Sequence, residues 1–388
     1  MMKNIDFVLL NLLLLTVFYY SGKIISRGGN YWQYARYCII TYTIVLGCRF
    51  ARGNDYFGYS TLFAEGITHN ENPMFSFVNF ILSFIGFNQY SCFIAYALVF
   101  VSCAMWFMKD YRPYAQYMFP CFLIGYILFE ESMIRQAFSY SFFFLYIRQL
   151  FRIKETRLHK LWENKKELAM LLLLWILTTS IHTGNLFSLI LITFFYFFYK
   201  HAFPPKIAIP IYIICTYILP NNIDYSLLNP ILEFAASNND LAAAYYKNAD
   251  IWFSKAGQQD IYEKNIIAEG LQVLGSSTFI FLTYQTIKHR RRHQRMLISI
   301  LNMFIIGICI ESLFVKLEIL HRIGQTIDQI GYLALPFILF YRPFYTSNYK
   351  ILYVFLLWFM YYYIKYCFFS PWAMFIWDTP YSLFLSQK

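Results

Sequence analysis

Four arginines, Arg49, Arg52, Arg135 and Arg322, stand at the ends of long apolar runs, each with acids or histidines close by. Asp55 follows Arg52, Glu130 and Glu131 precede Arg135, His321 adjoins Arg322, and His182 lies in a Ser-Ile-His-Thr-Gly-Asn turn. A guanidinium is a planar, permanently charged fork matched to phosphate oxygens, so converging arginines in a membrane pocket suit an anionic lipid head group, a diphosphate above all. If that diphosphate is a leaving group, the same arginines stabilise the charge that builds as its bond to a sugar breaks. The attacking hydroxyl then needs a proton acceptor, and Asp55, His182 and His321 are the residues of the right type. A single arginine at a helix end is equally well explained by snorkelling to the interface, and His182 equally suits a turn cap. It is the set that points to a site. Tyr56 and Tyr59 could offer ring faces to a sugar, against a background in which tyrosines mostly serve lipid contact and the interfacial belt.

The elements that must position these residues are membrane helices. The chain has 388 residues, 59% hydrophobic and only 14% charged. That is more apolar surface than one soluble core could hide, which excludes a soluble enzyme and a secreted domain. Several runs reach the roughly 20 apolar residues needed to cross about 30 Å of hydrocarbon. The first, Phe7 to Tyr20, resembles the core of a signal peptide, but no small-residue cleavage site follows and it reads as a helix that stays. The eight cysteines lie in or beside apolar runs without CxxC spacing, as small core residues and neither a zinc site nor a disulfide framework.

The net charge of +11 sorts by membrane side and so argues for no nucleic-acid partner. Basic loops at 288–295 (KHRRRHQR) and 152–166, with weaker ones near Lys23, Lys109, Lys200 and Arg342, mark the cytoplasmic face. If all are inside, the chain falls into about twelve spans beginning near 5, 31, 91, 114, 134, 168, 185, 207, 266, 296, 323 and 351, with both ends outside. The expected fold is therefore all-α, one polytopic transmembrane domain over residues 1–388. The four arginines then share the outer boundary. The run from Pro73 to Phe87 is short for a crossing, and its Ser76, Asn79 and Ser83 recur at helical spacing, so it reads as an amphipathic helix on the outer face, with Asn72-Pro73 as N-cap and first-turn proline; a re-entrant or tilted short span is the alternative. It belongs to an outer loop over 49–90. A larger outer loop over 220–265 would cap the bundle.

No DxD, HExxH, Walker lysine loop or GxGxxG is present, which favours a metal-independent reaction with no cofactor. Glu311 and Asp328 are the main charges deep within spans, fewer than a transporter pathway calls for, which ranks a flippase second.

At these same residues the sequence resembles the EpsG family, related to Wzy-type O-antigen and capsule polymerases. The resemblance runs through Cys48-Arg49-Phe50-Ala51-Arg52-Gly53-Asn54-Asp55-Tyr56 with Tyr59, then Glu71-Asn72-Pro73 opening a short apolar helix, and Met133-Ile134-Arg135-Gln136-Ala137. It continues through Ser180-Ile181-His182-Thr183, His321-Arg322-Ile323 and a late Pro380-Tyr381, covering nearly the whole chain. The paired arginines leave open whether Arg49 or Arg52 holds the family position. The resemblance implies an inverting glycosyltransferase of the large membrane (GT-C-like) type at the outer face of the bacterial cytoplasmic membrane. Its donor and acceptor would be polyprenyl-diphosphate-linked oligosaccharide repeat units, joined with release of polyprenyl diphosphate. Arg49, Arg52, Arg135 and Arg322 would bind the diphosphate, and Asp55, with His182 and His321, would serve the acceptor hydroxyl. Tyr56, Tyr59 and Glu71 would meet the glycan. Membrane lipid and a chain-length regulator protein are the other expected partners. An O-antigen ligase would share donor and arginines and differ only in its acceptor. A membrane acyltransferase is more distant, lacking an adjacent-histidine acid motif.

Overall fold

The computed structural model describes residues 5–50, 52–53, 55–66, 72–153, 164–222, 233, 266–289, 293–315, 317–341 and 345–369. The expected loop over 220–265 lies almost wholly outside the described residues, as do Glu71, Pro380 and Tyr381.

Every regular element among the described residues is helical. The main ones in chain order are α1 (Ile5–Ser26), α2 (Tyr31–Gly47), the short α3 (Tyr56–Ala64) and α4 (Pro73–Phe84), α5 (Cys92–Met108), α6 (Ala115–Ser132), α7 (Ile134–Arg152), α8 (Lys165–Ile181) and α9 (Asn185–Phe197). They continue with α10 (Pro205–Ile213), α11 (Ile266–His289), α12 (Gln294–Leu313), α13 (Glu318–Asp328), α14 (Leu335–Phe340) and α15 (Tyr345–Phe369). Local chemistry sets several ends. The Asn30 and Asn164 side chains accept from the backbone N–H groups of Gln33 and Glu167, capping α2 and α8, and prolines open α4 and α10. Between α5 and α6 the chain runs through a 3-10 turn, Lys109–Tyr114, where Pro113 and the non-helical Tyr111 interrupt the ladder.

Five helical stretches are long and apolar enough to cross a membrane: Val8–Ser26, Cys92–Ser132, Ile266–His289, Gln294–Leu313 and Leu320–Phe340. With the large apolar residues that α1, α8 and α9 expose, they make this a multi-pass helical membrane protein. A helix begins at or near each of the twelve expected starts, but length and apolarity alone carry only the five. α2 and α8 have 17 residues each, and α7 carries Arg135, Arg148 and Arg152.

Two cores organise the bundle. The larger joins α1, α2, α5, α6, α7 and α9 with the later helices. The smaller joins α3 and α4 to the first turns of α5 and α7 and the last residue of α8, through Tyr56, Phe75, Phe93, Tyr96, Phe138 and Ile181. The described parts of 49–90, α3 and α4 above all, thus pack over one end of the bundle. At the other end Asp110 bridges Arg148 (3.1 Å) and Arg152 (2.7 Å). α12 and α13 cross closely because Gly307 and Gly324 face each other's backbone. A Cβ at Gly307 would meet the Asp328 backbone at 2.5 Å, and one at Gly324 would meet the Glu311 backbone nitrogen. Buried tyrosines tie α13 and the turn after it to the rest of the bundle: Tyr126 of α6 donates to the Gln329 carbonyl (2.7 Å) and Tyr140 of α7 to that of Thr326 (3.3 Å).

Candidate active site

Two buried ion pairs fasten the segment after α2 to the end of α6. Arg49 Nη1 donates to both Glu130 carboxylate oxygens at 3.1 Å and to the Leu46 carbonyl at 2.6 Å, with its guanidinium 5.3 Å from the centre of the Phe93 ring. Arg52 Nε donates to both Glu131 oxygens at 2.9 Å. Both arginines are 1% exposed. A charge at that depth persists only with a partner, and each has one. Where a diphosphate was the expected partner of Arg49 and Arg52, the structure gives them glutamates, so their immediate work is to hold the backbone. Gly53 completes the fastening. Its φ of +98° suits glycine, and a Cβ would meet the Glu131 carbonyl oxygen. Asp55 follows two residues on.

Beside this corner lies a cavity of about 720 Å³, lined by Gly53, Asp55 and Glu131 on one side and by Glu311, His321, Arg322, Gln325 and Asp328 on the other. α6, α11 and α15 supply apolar and aromatic walls, among them Phe279, Phe355, Trp358 and Tyr363. Of the residues expected from sequence, Asp55, His321 and Arg322 therefore meet in one space. His321, Gln325 and Asp328 recur at i, i+4 and i+7 on one face of α13, so Asp328 sits roughly 10 Å along the axis from His321. Polar spacing on α13 and the depth of Glu311 and Asp328 were signals in the sequence. What the sequence does not reveal is that Gln325, Asp328 and Glu311 line the same cavity as Asp55.

Arg135 and His182 form a neighbouring cluster. Asn72 sits at the N-cap of α4, yet its side chain does not cap that helix. With its amide turned so that the nitrogen faces the Ile181 carbonyl, the orientation that satisfies both of its ends, Asn72 donates to that carbonyl (3.0 Å) and accepts from Arg135 Nη1 (3.3 Å), linking α4, α7 and α8. Beneath His182, Asn185 donates to Ser139 Oγ (2.7 Å), and Ser139 donates to the Thr178 carbonyl (2.6 Å). His182 in the α8–α9 turn is pushed down to about 3, first by burial and then by the charges of Arg135 and Arg322. The imidazole is thus neutral and a weak base. Two arginines that sequence alone could only place at a common depth act on one ring, and Arg322 belongs to both this cluster and the cavity.

Tyr56 departs from expectation, whereas Tyr59 stays half-buried. Tyr56 is fully buried with its ring stacked on Phe93, centroids 4.4 Å apart, and Tyr59 packs edge-on against Phe75. Tyr56 is a core residue because α3 folds down onto α5, leaving no ring face for a sugar. The aromatic faces on the cavity come instead from Tyr332, Trp358, Phe359 and Tyr363.

A helical membrane bundle whose cavity mixes charged, polar and aromatic side chains defines the class as a polytopic membrane protein with a candidate site among its helices. The chain belongs to the EpsG family, whose model matches residues 32–382, nearly its whole length. Members of that family are Wzy-like polymerases, so a polysaccharide polymerase-like role comes with membership. No curated protein and no solved structure matches the chain.

Proposed function

We propose that this protein joins polyprenyl-diphosphate-linked oligosaccharide repeat units at the outer face of the cytoplasmic membrane, by a metal-independent, inverting glycosyl transfer. The observation that supports this best is the cavity that gathers Asp55, His321 and Arg322 from distant parts of the chain beside a second arginine, Arg135. Arg322 and Arg135 bind the donor diphosphate. An acceptor sugar hydroxyl attacks the anomeric carbon, the bond from that carbon to the diphosphate oxygen breaks, and its electron pair leaves with the diphosphate, where guanidinium charge stabilises it. Asp55 orients the hydroxyl and His321 takes its proton. The carboxyl groups of Glu311 and Asp328 and the face of Trp358 suit sugar hydroxyls and C–H groups. Arg49 and Arg52 support the site by fixing the segment that carries Asp55.

Twelve crossings with both ends outside, in a fold of the large membrane glycosyltransferase type, are part of the same reading. The helix starts and the segregation of Asp110, Arg148 and Arg152 to the end opposite the cavity support it. The test is to reconstitute the protein in lipid with a polyprenyl-diphosphate-linked repeat unit and read glycan length by mass spectrometry beside Arg135→Ala. Dimers and longer ladders that vanish in the variant are expected. Unchanged glycan length with verified native substrate would overturn polymerisation in favour of a ligase or a flippase.

A further inference from the structure

His321 is held from both sides of its ring. Nδ1 lies 2.9 Å from the Glu311 backbone carbonyl, which only accepts, so Nδ1 carries a proton. Nε2 lies 3.0 Å from Gln325 Nε2. An amide can be turned either way, and the two orientations mean opposite things: a nitrogen toward the ring requires a lone pair on His321 Nε2, an oxygen requires a proton there. Glu311 resolves the choice. Its carboxylate Oε1 is 3.5 Å from the same Gln325 nitrogen and accepts from it, which keeps the amide nitrogen, with its two protons, between carboxylate and ring. The close crossing of α12 and α13 at Gly324 sets Glu311 and His321 at this distance.

We infer that Glu311 and Gln325 are positioning residues that fix the His321 tautomer, with the proton on Nδ1 and the Nε2 lone pair kept as the proton acceptor of the cavity. This rests on the reading of the cavity as a glycosyl-transfer site. In the transfer the acceptor hydroxyl proton passes to Nε2 as the Gln325 amide yields its hydrogen bond, forming an imidazolium whose Nε2 stands 4.0 Å from Glu311 Oε1, a charge placed to stabilise it. Removing the carboxylate therefore affects both the resting tautomer and the stability of the charged ring.

The test is nitrogen NMR of ring-labelled histidine in the full chain in nanodiscs at pH 7, with the His321 resonance among the seven histidines identified by its loss in His321→Gln. In the native protein Nδ1 is expected protonated and Nε2 unprotonated. In Gln325→Glu the new carboxylate accepts from Nε2, and the ring is expected to show the doubly protonated pattern with at least tenfold slower transfer. Gln325→Leu, which only removes the bond, keeps Nδ1 protonated. A native ring protonated at Nε2 overturns the inference whatever the assay for polymer shows. Failure of polymerisation with the expected NMR pattern would instead strike the function and leave the tautomer standing.

Discussion

The α2–α6 corner and the α12–α13 corner bury charge at the same end of the bundle but dispose of it in opposite ways. At the first, Arg49 with Glu130 and Arg52 with Glu131 close on each other, buried on both sides, with Arg49 also bonded to backbone carbonyls. At the second, Glu311, His321, Arg322 and Asp328 line open volume. A closed ion pair in low dielectric spends its field on its partner and fixes a backbone. Charges around a cavity keep part of their field for whatever enters. The contrast separates two kinds of arginine that are chemically identical in sequence.

The largest expected effect comes from opening a closed pair. Arg49→Met strands Glu130 and should cost about 3–5 kcal/mol of stability, whereas the Arg49→Met/Glu130→Met double variant should recover most of it. Thermal unfolding in nanodiscs measures both, and equal losses in single and double variants would show that the pair does not hold the backbone as a closed unit. At the open corner the expected effect is on rate. Arg322→Lys keeps the charge but loses the fork, and should slow transfer about 100-fold with unfolding unchanged; turnover of a lipid-linked repeat unit reads this directly.

His182 sharpens the link between the corners. Its ring is pushed from an ordinary value of 6.5 down to about 3, so folding favours the neutral form. A group depressed in the folded state contributes stability that is fully present above about pH 6.5 and lost as pH falls toward 3. Melting temperature should therefore drop over that window, and His182→Gln should flatten the drop. Smaller effects belong to the supports. Gly53→Ala should cost about 1–3 kcal/mol through its positive φ and the Glu131 carbonyl. Asn72→Ala should cost about 1 kcal/mol and slow transfer modestly by releasing Arg135, seen as reduced turnover at unchanged fold.

Helix positions and the gathering of charge at one end were legible because apolar run length, basic loops and proline or asparagine at helix starts are local signals. Partner choice was not. Glu130 and Glu131 precede Arg135 in sequence, yet they pair with Arg49 and Arg52 across some 80 residues of chain. Such pairings depend on how helix ends meet, which hydropathy does not encode. Asn72 reads as an N-cap from its place before Pro73, but once α4 packs against α8 its amide is taken up by Ile181 and Arg135. Tyr56 follows the same logic, drawn into the smaller core by Phe93. The residues sequence passed over, Gln325 and Trp358, are ordinary in type and gain meaning only from the cavity they line.

If Arg322 acts on the substrate while Arg49 holds the fold, the two are separated by comparing glycan ladders made by Arg322→Lys and by the Arg49→Met/Glu130→Met double variant in the same reconstituted system. Ladders are expected from the double variant and none, or only traces, from Arg322→Lys, with both proteins folded. Full ladders from Arg322→Lys, or a folded double variant that makes none, would contradict this division of roles.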